Sequence, residues 1–518
     1  MATYVDEGGL VSALGATDNG IVSGRRGTGK THALLYLAES KRSEGHFCVY
    51  LDVEQDLGST EGLYADSNLP LAERATRLLV DVLGRIHEEL LEEALQGRGD
   101  VDALEGVLDH FGEVLVEQEV ELTETKASAS EESSGANVGV NLSLTGPGAS
   151  ASLNAGSGEH FSDSTQQITK GTPRFRVHFG QTSSFFRKAL EAHPAPRVWL
   201  LIDEWSGLPL DLQPYLAEML RRLFFGSTKV TVRLGSIPHR SEWRVMREDG
   251  SYVGIETGSE IFPLLDLDEF VVFPARNKAE QTERSTNFFK TLLFRHLNSA
   301  LIAKDKEQLE SPDQLVSLLF TQVTALQELV RAAEGVPRDA LQIVSRAGLR
   351  AGQAKISTEH VRAAAAQVFQ TTKSALLNAV PEAQKLLQII TDEVISKKAR
   401  AFLLRQEHTR HPLIQRLIDD RILHVIKRGY SSKDDPGERF DVLQIDFGCY
   451  VSFLQTGSAP ETLLGGVADD TALDALFGAA PAVPEDDYRA IRSSVLDLPG
   501  VLQTVEGSKV APSEEQLF

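Results

Sequence analysis

Cysteine is scarce: Cys48 and Cys449 are the only two in 518 residues. Two thiols cannot build a disulfide framework or a zinc cluster, and both lie in apolar runs. They are expected as buried, reduced side chains, as the cytosol permits. No apolar stretch reaches the roughly 18 residues that would span a bilayer. Met1 to Asn19 lacks a basic segment followed by an apolar one, so no membrane helix and no secretion signal are expected. The expected location is cytoplasmic. Basic side chains are outnumbered, 52 against 74 acidic, a formal charge of −22. Such a field repels phosphate backbones and excludes a broad nucleic-acid-coating role, while a local basic module remains possible.

Apolar residues make up 42% of the chain, enough to bury a large core in about three or four domains. Ile21-Val22 leads into a Gly-rich loop and then a helical stretch, Thr31 to Ser43. His46 to Val53, Arg197 to Asp203, Lys229 to Leu234 and Phe270 to Phe273 read as further strands. Leu71 to Leu95 and Leu210 to Phe225 read as helices between them. Strands alternating with helices, with the loop after the first strand, predict an α/β fold built on a parallel, doubly wound sheet. From Asn277 to Asn378 the pattern is helical throughout. Two strand-like pieces follow, Arg439 to Ile445 and Tyr450 to Leu454. Gln455 to Phe518 carries 11 acids against 3 basic residues and reads as a mobile tail.

Gly24-Arg25-Arg26-Gly27-Thr28-Gly29-Lys30-Thr31 satisfies G-x-x-x-x-G-K-[ST] between a strand and a helix. The glycines let successive backbone N–H groups point at a phosphate, and the helix start adds its positive dipole end. Lys30 is placed to span the β- and γ-phosphates, and the Thr31 hydroxyl to ligate Mg²⁺. Val198 to Glu204 is the matching second element, an apolar strand ending in acids. Asp203 is expected in the Mg²⁺ shell and Glu204 beside the attacking water. Asn277-Lys278-Ala279-Glu280 lacks the final Asp of a guanine-reading motif, so ATP is the expected nucleotide.

With these motifs in place the chain resembles the AAA+ ATPases, and within them the origin-recognition and initiator clade with its bacterial relatives. Gly335-Val336-Pro337-Arg338-Asp339-Ala340-Leu341 is similar to that family's sensor-2 motif, which implies that Arg338 reaches the γ-phosphate from a helical lid. The resemblance implies a sensor-1 role for Ser236, and an arginine finger among Arg240, Arg244 and Arg247. It also implies a C-terminal winged-helix domain, with His411 to Arg421 as the recognition-type helix and Ser431 to Glu438 as the wing. The expected organisation is a nucleotide-binding core over 1–276 interrupted by a low-complexity insertion at 117–170, an all-α lid over 277–378, the winged helix over 379–455, and an acidic tail over 456–518.

Two outputs follow from this organisation. One is association with double-stranded DNA through the winged helix, in replication, mobile-element control or antiviral defence, using Lys397, Lys398, Arg400, Arg405 and Arg410. The other is a nucleotide-switched signalling or scaffold role toward a protein partner, contacted through the insertion or the tail. An ATP-dependent homo-oligomer is expected in either case. Within the insertion, Val138, Val140, Leu142 and Leu144 alternate with polar residues, and Ala149, Ala151, Leu153 and Ala155 do so again after Gly146-Pro147-Gly148. The pattern suits a mobile spacer, a hairpin arm or, least well, a membrane stem.

Overall fold

The computed structural model describes residues 2–6, 9–56, 69–97, 121–124, 167–170, 184, 187–190, 193–268, 278–396, 400–431, 437–455 and 495–507. Five parallel strands form the central sheet: β1 (Gly20–Ser23), β2 (Phe47–Asp52), β3 (Val198–Asp203), β4 (Val230–Ser236) and β5 (Phe262–Asp266). They lie in the order β2-β3-β4-β1-β5, so β4 separates the loop-bearing strand from the strand that ends in Asp203.

Strand alternation builds two layers of core. Val198, Leu200 and Ile202 of β3, with Phe47, Val49 and Leu51 of β2, face the helix α2 (Leu71–Leu95), which contributes Leu78, Leu79, Val82, Leu83, Ile86 and Leu90. Trp199, Leu201 and Cys48 point the other way, onto Ala33, Leu34, Leu37 and Ala38 of α1 (Lys30–Ser43). Because both faces are covered, the strands read as continuous apolar runs. The helix expected over Leu210 to Phe225 is α3 (Gln213–Leu220) followed by a π-helical turn to Phe225.

Arg233 of β4 is fully buried and is held by backbone carbonyls. Its guanidinium donates to the carbonyls of Leu14, Ala16, Asp18 and Val232 and stacks over Trp199. Burial lowers its pKa to about 10. The side chain thereby closes the turn that feeds β1, satisfying carbonyls that would otherwise be buried without donors.

A helical unit follows the sheet: α4 (Lys278–Ile302), α5 (Pro312–Leu319), α6 (Val323–Ala333), α7 (Pro337–Ala351) and α8 (Thr358–Val368). Beyond it, α9 (Pro381–Ser396) precedes a three-stranded antiparallel sheet of β6 (Ala401–Arg405), β7 (Leu423–Ser431) and β8 (Arg439–Ile445), with β8 central. The helix α10 (Pro412–Asp419) lies between β6 and β7, and α11 (Phe447–Gln455) follows β8. Among the described residues no helix is long and apolar enough to cross a membrane.

Several sequence expectations need correction. Tyr450 to Leu454 is helical, because α11 is buried on two sides: Phe447, Tyr450 and Val451 enter the helical unit's core while Cys449 enters that of the C-terminal sheet. Such a run shows no polar alternation to mark its period. The edge strand of the main sheet is Phe262–Asp266, partly exposed along its length and containing Pro263, which an edge tolerates. Phe270 to Phe273 lies outside the described residues. Within the stretch expected as a mobile tail, Val495 bridges to Leu403 and α12 (Leu498–Gly507) buries Leu498, Val501 and Val505 against the C-terminal sheet, while 456–494 and 508–518 lie outside the described residues. Of the insertion, Glu121–Glu124 and Gln167–Lys170 pair antiparallel, and the alternating segment 138–155 is outside the described residues.

Arg233→Met keeps the bulk of the side chain but strips donors from several buried carbonyls. It should cost about 3 kcal/mol or more, read as a lowered urea midpoint at unchanged m-value.

Candidate functional site

The loop Gly24–Thr31 curls at the carboxyl end of β1, where open α/β sheets place their ligands. Gly27 and Gly29 have φ of 85° and 100°, a region side chains resist, which is why glycine occupies both. Gly27 is also crowded: an added Cβ would lie 3.0 Å from Val336 Cγ1 and 3.1 Å from Arg338 Cβ. The Gly27 carbonyl accepts from Arg338 N at 3.3 Å, so the start of α7 rests on the loop. Lys30 is buried at the start of α1, and its Nζ donates to the carbonyls of Gly24 at 2.9 Å and Arg25 at 3.2 Å. Burial lowers its pKa, opposed by Glu204, Asp203 and Asp268. Thr28 Oγ1 donates to Arg25 O at 2.8 Å and closes the turn.

The acids stand opposite. Asp203 is fully buried; its Oδ1 accepts from Glu204 N at 2.9 Å and its Oδ2 from the Tyr50 hydroxyl at 3.1 Å. Glu204 has φ of 52°, a strained conformation for a side-chain-bearing residue, at the turn that ends β3. Burial raises its pKa, and the neighbouring Asp203 charge adds to that while Lys30 opposes it. Gly235 on β4 leaves room for this pair, since a Cβ there would sit 2.4 Å from Asp203 Oδ1. Ser236 follows it, buried, with its carbonyl accepting from Gly24 N at 3.2 Å.

A cavity of about 980 Å³ joins these elements. Arg26, Gly27, Gly29, Lys30 and Thr31 of the loop line it, as do Glu204 and Arg338. His32, Leu35, Leu292, His296 and Leu341 complete the lining. Burial lowers the pKa of both histidines and keeps them neutral. Glu54, just after β2, adds a second carboxylate beside Glu204.

The structure thus brings together Gly24, Gly27, Thr28, Gly29, Lys30, Thr31, Asp203, Glu204, Ser236, Arg26 and Arg338, all singled out from sequence. Arg25 departs from expectation: it belongs to the loop by its backbone, but its buried side chain turns away from the cavity to Asp268, His424 and Glu334 O. Of the finger candidates, Arg240 is bound by Asp419 and Arg244 by Glu256 at 3.0 Å, while Arg247 is exposed on the hairpin that follows. Sequence reasoning missed Tyr50, Glu54, His32, Leu292 and His296. The first two sit on or just after β2 with no motif around them, and the two from α4 reach the cavity only through tertiary packing.

Gly235→Ala should cost about 1–3 kcal/mol in urea unfolding, because the new methyl collides with the Asp203 carboxylate. In an Asp203→Ala background the same change should cost clearly less; equal penalties would mean that the two positions do not touch.

No protein-family model matches the chain, and no curated protein does either. Among solved structures it is similar to the crystal structure of Cdc6p from Pyrobaculum aerophilum, at 13% identity over 85% of this chain and 88% of that one, with a TM-score of 0.27. A TM-score of that size does not carry a common fold. The α/β architecture rests on the strand order and the phosphate-loop geometry.

Proposed function

We propose that the chain is a Mg²⁺-dependent ATP hydrolase of the AAA+ type, in which 277–378 is the lid and 379–455 a winged-helix module. The observation that carries this reading is the cavity itself, which Lys30, the loop glycines Gly27 and Gly29, Glu204 and Arg338 line together. Backbone N–H groups of the loop bind the β-phosphate, and Lys30 exchanges its bonds to Gly24 O and Arg25 O for the β- and γ-phosphate oxygens. Leu35, Leu292 and Leu341, which share the cavity lining with His32 and His296, offer apolar surface for the base. The Thr31 hydroxyl and Asp203 carboxylate are oxygen donors that would hold a hard cation such as Mg²⁺, which would supply charge neutralisation to the phosphates. Glu204, with its raised pKa, accepts the proton of the attacking water, Ser236 orients that water, and Arg338 reads the γ-phosphate from the lid.

ATP occupancy is proposed to set the angle between core and lid and, through it, association with a partner and with further copies of the chain. Double-stranded DNA bound through the winged helix is one reading, in a replication, mobile-element or antiviral defence role. A protein partner in a signalling or scaffold role is the other, and a specific arrangement favours it. In α10 only Pro412 is fully exposed, and Arg400 is taken up by Glu334. Arg405 and Arg410 remain exposed, and Lys397 and Lys398 lie outside the described residues. For an oligomer, Arg244 and Arg247 are the finger candidates with exposed side chains, and Arg244 is paired with Glu256.

Lys30→Ala should weaken ATP binding about 100-fold or more in calorimetry, since a fixed cation against the phosphates is lost. Near-parental affinity in that variant overturns the site. Glu204→Gln should bind ATP normally while turnover falls about 10²–10⁴-fold. Glu204 must be ionised to act as a base, so activity should rise with pH through a step above the ordinary carboxylate range. An acid limb at the usual glutamate position argues against this role.

A further inference from the structure

Arg25 directs its donors to residues that come from three other parts of the chain. Its backbone N and its Nε donate to Asp268, just after β5, at 2.9 and 2.7 Å. One terminal nitrogen donates to the carbonyl of Glu334 at 3.2 Å, at the end of α6. The other meets Nδ1 of His424, near the start of β7 and 399 positions along the chain. The guanidinium is therefore an anchor for the loop and not a phosphate ligand.

The imidazole can serve as an acceptor only in one state. Nδ1 takes the arginine's hydrogen bond, so the ring proton sits on Nε2, which faces Asp446 Oδ2 at 3.3 Å. Burial of the fully enclosed ring keeps it neutral, with Arg25 adding to that effect and Asp446 opposing it. Asp446 is held in turn by Lys373, whose ammonium also meets Asp339 at 3.0 Å, the residue after Arg338 in α7. Asp339 binds Arg421 at 2.7 Å, and Arg421 reaches the loop again, 3.3 Å from where a Gly27 Cβ would stand. The C-terminal strand β7 thus meets the loop at Arg25, and Arg421, just before that strand, lies beside Gly27, in a buried chain in which every charge meets an opposite one.

We propose that His424 is a positioning residue of the phosphate site: backed by Asp446, it fixes Arg25 and through it the curvature of Gly24–Thr31, so the C-terminal module is a working part of the nucleotide site. The proposal rests on reading the cavity as a nucleotide site. It makes affinity for nucleotide depend on a residue that never touches it, and it makes docking of the C-terminal module and loading of the loop reciprocal events.

The test uses the full chain, Mg·ADP as the probe in calorimetry, and thermal melts in parallel. His424→Asn puts an acceptor oxygen near the place of Nδ1, whereas His424→Gln extends toward Asp446 and leaves Arg25 without its acceptor. The Asn variant should bind within about threefold of the parent and the Gln variant about tenfold more weakly, at similar melting temperatures. With Arg25 replaced by Ala, the Asn and Gln forms should bind alike, because the side chain that reads the difference is gone. Equal affinities of His424→Asn and His424→Gln in the parental loop overturn the proposal, as does a difference that persists without Arg25. A parent chain that binds no Mg·ADP overturns the nucleotide reading, and this proposal with it.

Discussion

A phosphate loop must present its backbone N–H groups inward while holding a curl that ordinary residues resist. Glycines at 27 and 29 permit the curl but do not enforce it, since their freedom is also available to the unfolded chain. Here the enforcement comes from outside the loop. The Ser236 carbonyl takes Gly24 N, Asp268 takes Arg25 N, and Arg338 N reaches the Gly27 carbonyl. These contacts come from β4, the end of β5 and α7, so the loop is formed only when sheet and helical unit are packed together.

The same constraint accounts for the buried charges. Lys30, Arg25, Asp203, Lys373, Asp339 and Asp446 would each be costly to bury alone. Lys373, Asp339 and Asp446 offset much of that cost for one another, with Arg421 on Asp339, while Arg25 is met by Asp268, Lys30 by loop carbonyls and Asp203 by Tyr50 and the Glu204 N–H. Burial alone would raise Asp446, but Lys373 and His424 hold it well below the usual carboxylate range. Burial alone would lower Lys373, but Asp446 and Asp339 raise it above the ordinary lysine value.

Much of the core was legible because strand and helix periods are local. Val198 to Asp203 and Leu71 to Leu95 carry their own burial patterns, and the structure has both within one residue of the bounds expected. Elements whose signal depends on neighbours were less legible. The edge strand Phe262–Asp266 has one covered flank and a proline, so it lacks an apolar run. In α11 the two buried faces erase the contrast between periods of 2 and 3.6. Val495 to Val505 sits in an acidic, small-residue context that hides a few apolar anchors.

Sequence by itself determined which residue types stand at the loop and in what spacing. The loop and the apolar strand ending in Asp-Glu are contiguous motifs, so backbone geometry alone brings their residues to the carboxyl edge of the sheet. Tertiary structure decided which side chains face the cavity and which hold it. Arg25 and Arg26 are adjacent and chemically identical, yet one is buried against His424 and the other lines the cavity. No local rule separates them, because the acceptors that choose between them lie about 240 to 400 residues away and become neighbours only when the sheet, the helical unit and the C-terminal strands have packed.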